Sequence, residues 1–330
     1  MIADGLDSEN VSRFSAVLAQ EELRAALGKL SMSEWHWGKP EEIRVQPLKA
    51  HKGRGTFNIA LKTASGWHDV ISKVHTIDRS DVFLAMEGFS KSGFGPNAEF
   101  AIPRPLAYMS SFNVLLEEKV QGTRAMEVFL KGSQDQQTIA AQRCGHWLAR
   151  FHTEAPRVSN VSEQLEQLPL LDYWARHLKN FGKQLADLSE PLVRKLEAMV
   201  QVAGEFEHCE GHGSYMPEHV FLNGQRTITI DFDEHCVADP ARDAAWFIVS
   251  LQRLGLKNLG SLHAHDRPVK AFLRTYSAAG RPNLLEHLQF YRAMECLHRG
   301  SRDLYKRIPP SPRWARIMVD EGLRVLRDPS

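Results

Sequence analysis

Asp231 and Asp233 stand at the end of a β-branched, apolar run, Thr227-Ile228-Thr229-Ile230. A second such run, Val220-Phe221-Leu222, lies just upstream, and Asn223-Gly224 sits between the two. Asn-Gly flanked by apolar runs is the strongest short-range hairpin signal, because both residues tolerate the positive φ of a tight turn. Antiparallel pairing about that turn returns the two aspartates to the segment preceding the first strand, Gly211-His212-Gly213-Ser214-Tyr215-Met216-Pro217-Glu218-His219. Two carboxylates at a strand end beside a polar loop suit a divalent cation, since Mg²⁺ takes hard oxygen ligands and few of them. Asp231 carries most of this expectation, because an acid directly after an apolar strand needs a partner. Downstream, Asp239-Pro240 reads as the cap and first position of a helix whose buried face is Ala244, Phe247, Ile248 and Leu251. In this reading His212 holds the loop by hydrogen bonds and Asp243 bonds back to it. Cys209 and His212 have a zinc-like gap, but zinc sites usually show two clean pairs.

The elements that must position this island come in two kinds. Val11, Phe14, Val17, Leu18, Leu23, Leu27 and Leu30 recur at helical spacing over 8–30. From about 43 to 75 the period becomes that of strands: 43–48, a Gly-rich tip, 57–62, a Ser65-Gly66 turn, then 70–74. A helix over about 80–91 and strands over 105–109 and 113–118 complete a small antiparallel sheet. Beyond Lys119-Val120-Gln121-Gly122 the pattern is mostly helical, with helices expected around 161–188, 190–206, 241–254, 267–279, 283–306 and 312–327. Cys144, Trp147, Leu148 and Phe151 form a buried stripe. The expected division is a helical extension over 1–40, a sheet-containing lobe over 41–122 and a helical lobe over 123–330.

The chain has 330 residues, 43% hydrophobic and 25% charged, the mixture of a globular protein long enough for two lobes. A formal net charge of +1 leaves no global field for nucleic acid or an acidic membrane, so any anion site is local. Four scattered cysteines, no signal-peptide pattern at the start and no run of about 20 apolar residues point to a soluble protein of the reducing cytoplasm. Oligomeric state is not legible.

Taken in order, the loop, the Ile230-Asp231-Phe232-Asp233 strand end and the Asp239-Pro240-Ala241-Arg242-Asp243 helix start resemble the corresponding motifs of the aminoglycoside phosphotransferase and choline kinase superfamily. Upstream, His51-Lys52-Gly53-Arg54-Gly55-Thr56-Phe57-Asn58 resembles that family's glycine turn over the ATP phosphates, and Trp147-Leu148-Ala149-Arg150-Phe151-His152 its helix end. The resemblance spans roughly residues 43–300. It implies an α+β, two-lobed protein-kinase-like fold that binds ATP and Mg²⁺ between its lobes and transfers the γ-phosphate to a hydroxyl of a small polar molecule. Gly53, Gly55 and Lys73 would contact phosphates, Glu87 would pair with Lys73, and the linker through Glu118 and Val120 would meet the adenine. Asp231, with Asp233 and His219, would hold the metal, Ser214 would occupy the base position, and the expected catalytic set is Ser214, His212 and Asp231. The family has aspartate where this chain has Ser214 and asparagine where it has His219. The first exchange removes a group worth about 10²–10⁴-fold as general base, and the second suits Mn²⁺ or Zn²⁺ better than Mg²⁺. The alternative implied by both is a pseudokinase that binds nucleotide without turnover.

Overall fold

The computed structural model describes residues 8–161, 167–202, 208–279 and 287–327. The chain forms two compact units, Met1–Gln121 and Gly122–Ser330.

In the first unit, helices α1 (Ser8–Leu18) and α2 (Glu21–Ser33) precede strands β1 (Glu42–His51), β2 (Arg54–Thr63) and β3 (Gly66–His75). Helix α3 (Ser80–Phe89) follows, then β4 (Phe100–Ala101), β5 (Pro105–Met109) and β6 (Val114–Glu118). Five strands form an antiparallel sheet in the order β1-β2-β3-β6-β5. Alternation along the strands gives the sheet two faces with different jobs. Phe57, Ile59, Leu61, Val70, Val74, Val114 and Leu116 share one core with Phe14, Leu18, Leu23, Leu27 and Trp35 of the helical segment. The register Thr56↔Lys73, Lys73↔Leu115 and Ile71↔Glu117 puts Lys73 and Glu117 on the opposite face. The expected single helix over 8–30 is broken at Ala19-Gln20, and its two apolar stripes both contribute to the sheet core. This segment packs on the sheet within the first unit.

In the second unit, β7 (Thr123–Arg124) leads into α4 (Ala125–Lys131) and α5 (Gln134–Glu154). Helix α5 starts on a reciprocal capping box between Ser133 and Gln136. After α6 (Gln167–Phe181) and α7 (Lys183–Val202) come the short strands β8 (Cys209–Gly211), β9 (Val220–Asn223), β10 (Arg226–Thr229) and β11 (Cys236–Ala238). The helices α8 (Ala241–Leu259), α9 (Asp266–Ala279), α10 (Leu288–Tyr305) and α11 (Pro312–Val325) close the unit. Leu171, Leu178, Leu192, Leu196, Phe290 and Leu297 belong to one hydrophobic core of this unit. The expected break near 189 falls instead at Gly182, whose φ of 149° is open to glycine alone, and Pro191 lies inside α7. The parts of the expected helices over 162–166, 203–206 and 283–286 lie outside the described residues. No helix among the described residues is long and apolar enough to cross a membrane.

Candidate active site

The hairpin of β9 and β10 forms in the second unit with Asn223 paired to Arg226, so its two-residue tip is Gly224-Gln225 rather than Asn223-Gly224. Gly224 takes φ 54° there. Arg143 on α5 fixes this tip: its Nε donates to Thr227 Oγ1 at 3.1 Å, Nη1 to the Gly224 carbonyl at 2.9 Å, and Nη2 to the Arg226 carbonyl. β9 and β10 thus return Ile230 and Asp231 to the segment that precedes β9. The Ile230 amide donates to the His219 carbonyl at 2.9 Å.

The loop between β8 and β9 is held by a buried carboxylate. Asp243, in the first turn of α8, accepts from the His212 amide at 2.6 Å and the Gly213 amide at 2.9 Å. His152, at the end of α5, places Nε2 3.1 Å from the same carboxylate, with the Tyr276 hydroxyl 2.7 Å from its Nδ1. Burial alone would raise the Asp243 carboxyl, but the bonds from His152 and the loop outweigh it and hold it below the ordinary carboxylate range. Asp239 binds the Ala241 amide at 2.8 Å and His287 Nδ1 at 2.8 Å, and burial keeps its carboxyl above the ordinary range. Gly213 takes φ 79°, and a Cβ there would stand 1.7 Å from the Glu234 carbonyl oxygen. Only glycine lets the loop lie this close to the 231–235 turn.

His212 is wholly buried and works within the loop. Its Nε2–H donates to the Ile230 carbonyl at 3.0 Å and its Nδ1 accepts from the Ser214 amide at 3.4 Å. These bonds select the neutral imidazole, and burial pushes its pKa down to about 4. Of the three residues expected to be catalytic, His212 is therefore a loop-positioning group. Ser214 is buried, while Asp231 sits at the strand end with φ 72°. A non-glycine residue in the left-handed region costs energy and persists where its surroundings demand it, and such outliers gather at functional sites.

His219 faces Asp231. Its Nδ1–H donates to the Ser214 carbonyl at 3.1 Å, so the neutral ring carries its lone pair on Nε2, which lies 3.5 Å from Asp231 Oδ2. Two electron-pair donors at that separation fit one shared cation, because bonds of about 2.1 Å each span donors up to about 4.2 Å apart. Asp233, the third expected ligand, is partly exposed two residues on. Among the described residues no group of three or more His, Cys, Asp or Glu side chains is arranged to hold a metal, so an ion here would draw its remaining ligands from water or substrate.

In the first unit the expectations divide. Gly53 lies at the two-residue tip between β1 and β2, and its carbonyl accepts from the Thr76 amide at 3.2 Å. A Cβ on Gly55 would come within 2.7 Å of the Phe57 ring and 2.8 Å of Phe14 on α1, so this position takes no side chain. Lys73 lies on β3 as expected, but Glu87 is not its partner. Lys73 Nζ lies 3.3 Å from Glu117 Oε2, both side chains being 4% exposed. Glu87 instead meets Lys91 one turn along, at 3.9 Å, on the surface. Glu117 was missed because it follows the apolar run Val114–Leu116 and reads as the start of the linker, although period-two alternation from Leu115 already put it on the Lys73 face. Glu118 closes β6, its amide bonded to the Arg104 carbonyl at 2.9 Å and its carboxylate to the Arg104 amide at 3.1 Å. Val120 lies in the irregular stretch after it, partly exposed.

The sequence model described as the APH phosphotransferase enzyme family matches residues 83–290, more than half of the chain. The chain belongs to this phosphotransferase family. No curated protein sequence matches it, so the comparison rests on that model and on solved structures. A choline/ethanolamine kinase family protein from Mesorhizobium loti is 15% identical, with 93% of this chain and 95% of that one covered at a TM-score of 0.62. Choline kinase from Cryptosporidium parvum is 11% identical, with 93% and 96% covered at 0.61. A thermostable mutant of aminoglycoside phosphotransferase APH(4)-Ia, in ternary complex with ADP and hygromycin B, is 12% identical, with 91% and 98% covered at 0.61. At these identities the likeness establishes the α+β, protein-kinase-like fold of the phosphotransferase family.

Proposed function

We propose that this protein is an ATP-dependent phosphotransferase that moves the γ-phosphate to a hydroxyl of a small polar acceptor with the help of a divalent cation. The observation that carries this reading is the His219–Asp231 pair, 3.5 Å apart, with the imidazole oriented by the Ser214 carbonyl. In this reading Asp231 and His219 hold the cation and Lys73 takes phosphate oxygens. A bound cation would supply neutralisation of charge developing on the phosphoryl oxygens. The protein's own contribution is a preorganised loop: Asp243, Gly213 and neutral His212 fix the backbone that carries Ser214 and aims His219. The similar proteins are a choline/ethanolamine kinase family protein, a choline kinase and an aminoglycoside phosphotransferase with hygromycin B, so amino alcohols and aminoglycosides are the first acceptors to test.

A second reading, nucleotide binding without turnover, is favoured by Ser214 at the position where the family carries aspartate. A hydroxyl cannot accept a proton as a carboxylate does, and the missing base is worth about 10²–10⁴-fold.

The test is calorimetric binding of AMP-PNP with Mg²⁺ and with Mn²⁺, followed by phosphate transfer from ATP to choline, ethanolamine and hygromycin B. Binding with transfer establishes the phosphotransferase. Binding without transfer to any acceptor favours the second reading, and absence of binding removes both.

A further inference from the structure

The ammonium of Lys73 and the carboxylate of Glu117 stand 3.3 Å apart with both side chains 4% exposed. The two lie on one face of the sheet: Lys73 is opposite Leu115 and Glu117 opposite Ile71, which makes them diagonal neighbours on adjacent strands. Long side chains reach across such a diagonal. The acid expected to pair with Lys73, Glu87 on α3, is turned to the exposed Lys91. We infer that Glu117 is the positioning residue for Lys73, so that this ammonium is aimed from within the sheet and independently of α3.

Lysine carries a compact charge on a flexible four-carbon stem, and holding it in one direction removes an ordering cost that a bound anion would otherwise meet. A carboxylate on β6 can do this because β3 and β6 are joined by a continuous ladder from Val70↔Glu118 to Val74↔Val114. A partner on α3 would follow every shift of that helix. Burial makes the arrangement strongly coupled. Removing one member of a buried ion pair leaves a charge without compensation, whereas removing both can be nearly neutral. An exposed pair such as Glu87–Lys91 has little influence either way.

The phosphate-binding role of Lys73 rests on the proposed function; the positioning by Glu117 does not. The test therefore has two arms on the full-length chain. In the first, AMP-PNP affinity is measured for wild type, Glu87→Gln, Glu117→Gln, Lys73→Met and the Lys73→Met/Glu117→Gln double variant. Glu117→Gln should weaken binding on the order of tenfold, Glu87→Gln should leave it within about twofold, and Glu117→Gln should add nothing in the Lys73→Met background. Unchanged or tighter binding by Glu117→Gln, or independent addition of the two effects, overturns the inference.

The second arm needs no nucleotide. Urea midpoints of the same set, with Lys73→Met/Glu87→Gln added, should be non-additive for 73 with 117 and additive for 73 with 87. Additivity at 73 and 117 overturns the inference even if wild type binds no AMP-PNP, a result that would instead remove the proposed function. If Glu117→Gln does not fold, Lys73→Met/Glu117→Met replaces it. A soluble, stable double variant supports the pair, and an equally insoluble one counts against it.

Discussion

The Asp243 carboxylate accepts the Gly213 amide at 2.9 Å, which ties the start of α8 to a loop residue thirty positions earlier. Because the His212 amide, 2.6 Å away, and His152, 3.1 Å away, share the same buried group, one side chain organises three elements. Asp243→Ala would leave two backbone donors and an imidazole without their acceptor in the interior. The expected loss is about 3–5 kcal/mol of unfolding free energy, read from urea midpoints. Asp243→Asn keeps the shape but offers one acceptor oxygen, and should lose about half as much. Equal midpoints for Asp243→Ala and wild type would contradict this role.

Gly213 meets two independent demands, a φ of 79° and a backbone carbonyl 1.7 Å from any added Cβ. Gly213→Ala should therefore cost more than about 3 kcal/mol or prevent folding. Gly224→Ala is the matched control: φ is 54°, but nothing lies within 4 Å of its added Cβ. Only the conformational strain of about 1–2 kcal/mol should appear there.

These two glycines also show what was legible in the sequence. Gly224 was readable because a hairpin turn is a local event, though the tip lies one residue further on, where Arg143 of α5 binds the Gly224 and Arg226 carbonyls. The carbonyl over Gly213 belongs to Glu234, twenty-one residues on, and no local pattern announces it. The same division runs through the fold. Strands β1, β2, β3, β5 and β6 showed in their alternation, whereas the three-residue pair β8 and β11 was too short to carry a period. Lys73 was placed on its strand, but its partner depended on register between β3 and β6, and the expected acid on α3, Glu87, pairs elsewhere. Asp243 bonding back to the loop was readable because it sits in the first turn of a helix that starts soon after that loop.

Stability should fall as pH drops from about 6.5 to about 4. The folded-state pKa of His212 is depressed to about 4 by burial, below the ordinary 6.5, so between these values the unfolded chain binds more protons. The stability that neutral His212 retains is present above 6.5 and is lost as pH falls toward 4, at up to about 1.4 kcal/mol per pH unit and about 3 kcal/mol in all. His265, whose pKa burial also lowers, adds a slope of the same sign. His212→Gln should reduce the slope of the urea midpoint against pH across this window without abolishing it. An unchanged slope would show that His212 titrates normally.

In the proposed cation site His219 supplies an imidazole, a softer donor than a carboxylate or amide oxygen. Mn²⁺ affinity, followed by electron paramagnetic resonance, should exceed Mg²⁺ affinity in the wild type. His219→Asn should narrow that preference on the order of tenfold, and Asp231→Ala should abolish specific binding of either ion. A preference unaltered by His219→Asn would show that the imidazole does not meet the ion.

Ser214 gives the most direct measure of how complete the machinery is. Its backbone is already placed: the amide donates to His212 and the carbonyl accepts from His219, while Gly213 and Asp243 hold the residues before it. Ser214→Asp would add one carboxylate to a loop whose geometry is set by other groups. If the remaining parts are competent, ATP turnover should rise by about 10²-fold or more, the scale of a general base, with AMP-PNP affinity within a few-fold of wild type. Position 214 is buried, so an aspartate there without access to substrate would lower stability and leave turnover unchanged. Turnover and urea midpoint measured together separate the two outcomes. A gain in rate marks a phosphotransferase lacking one group, and a stability loss without rate marks a loop built to bind and not to react.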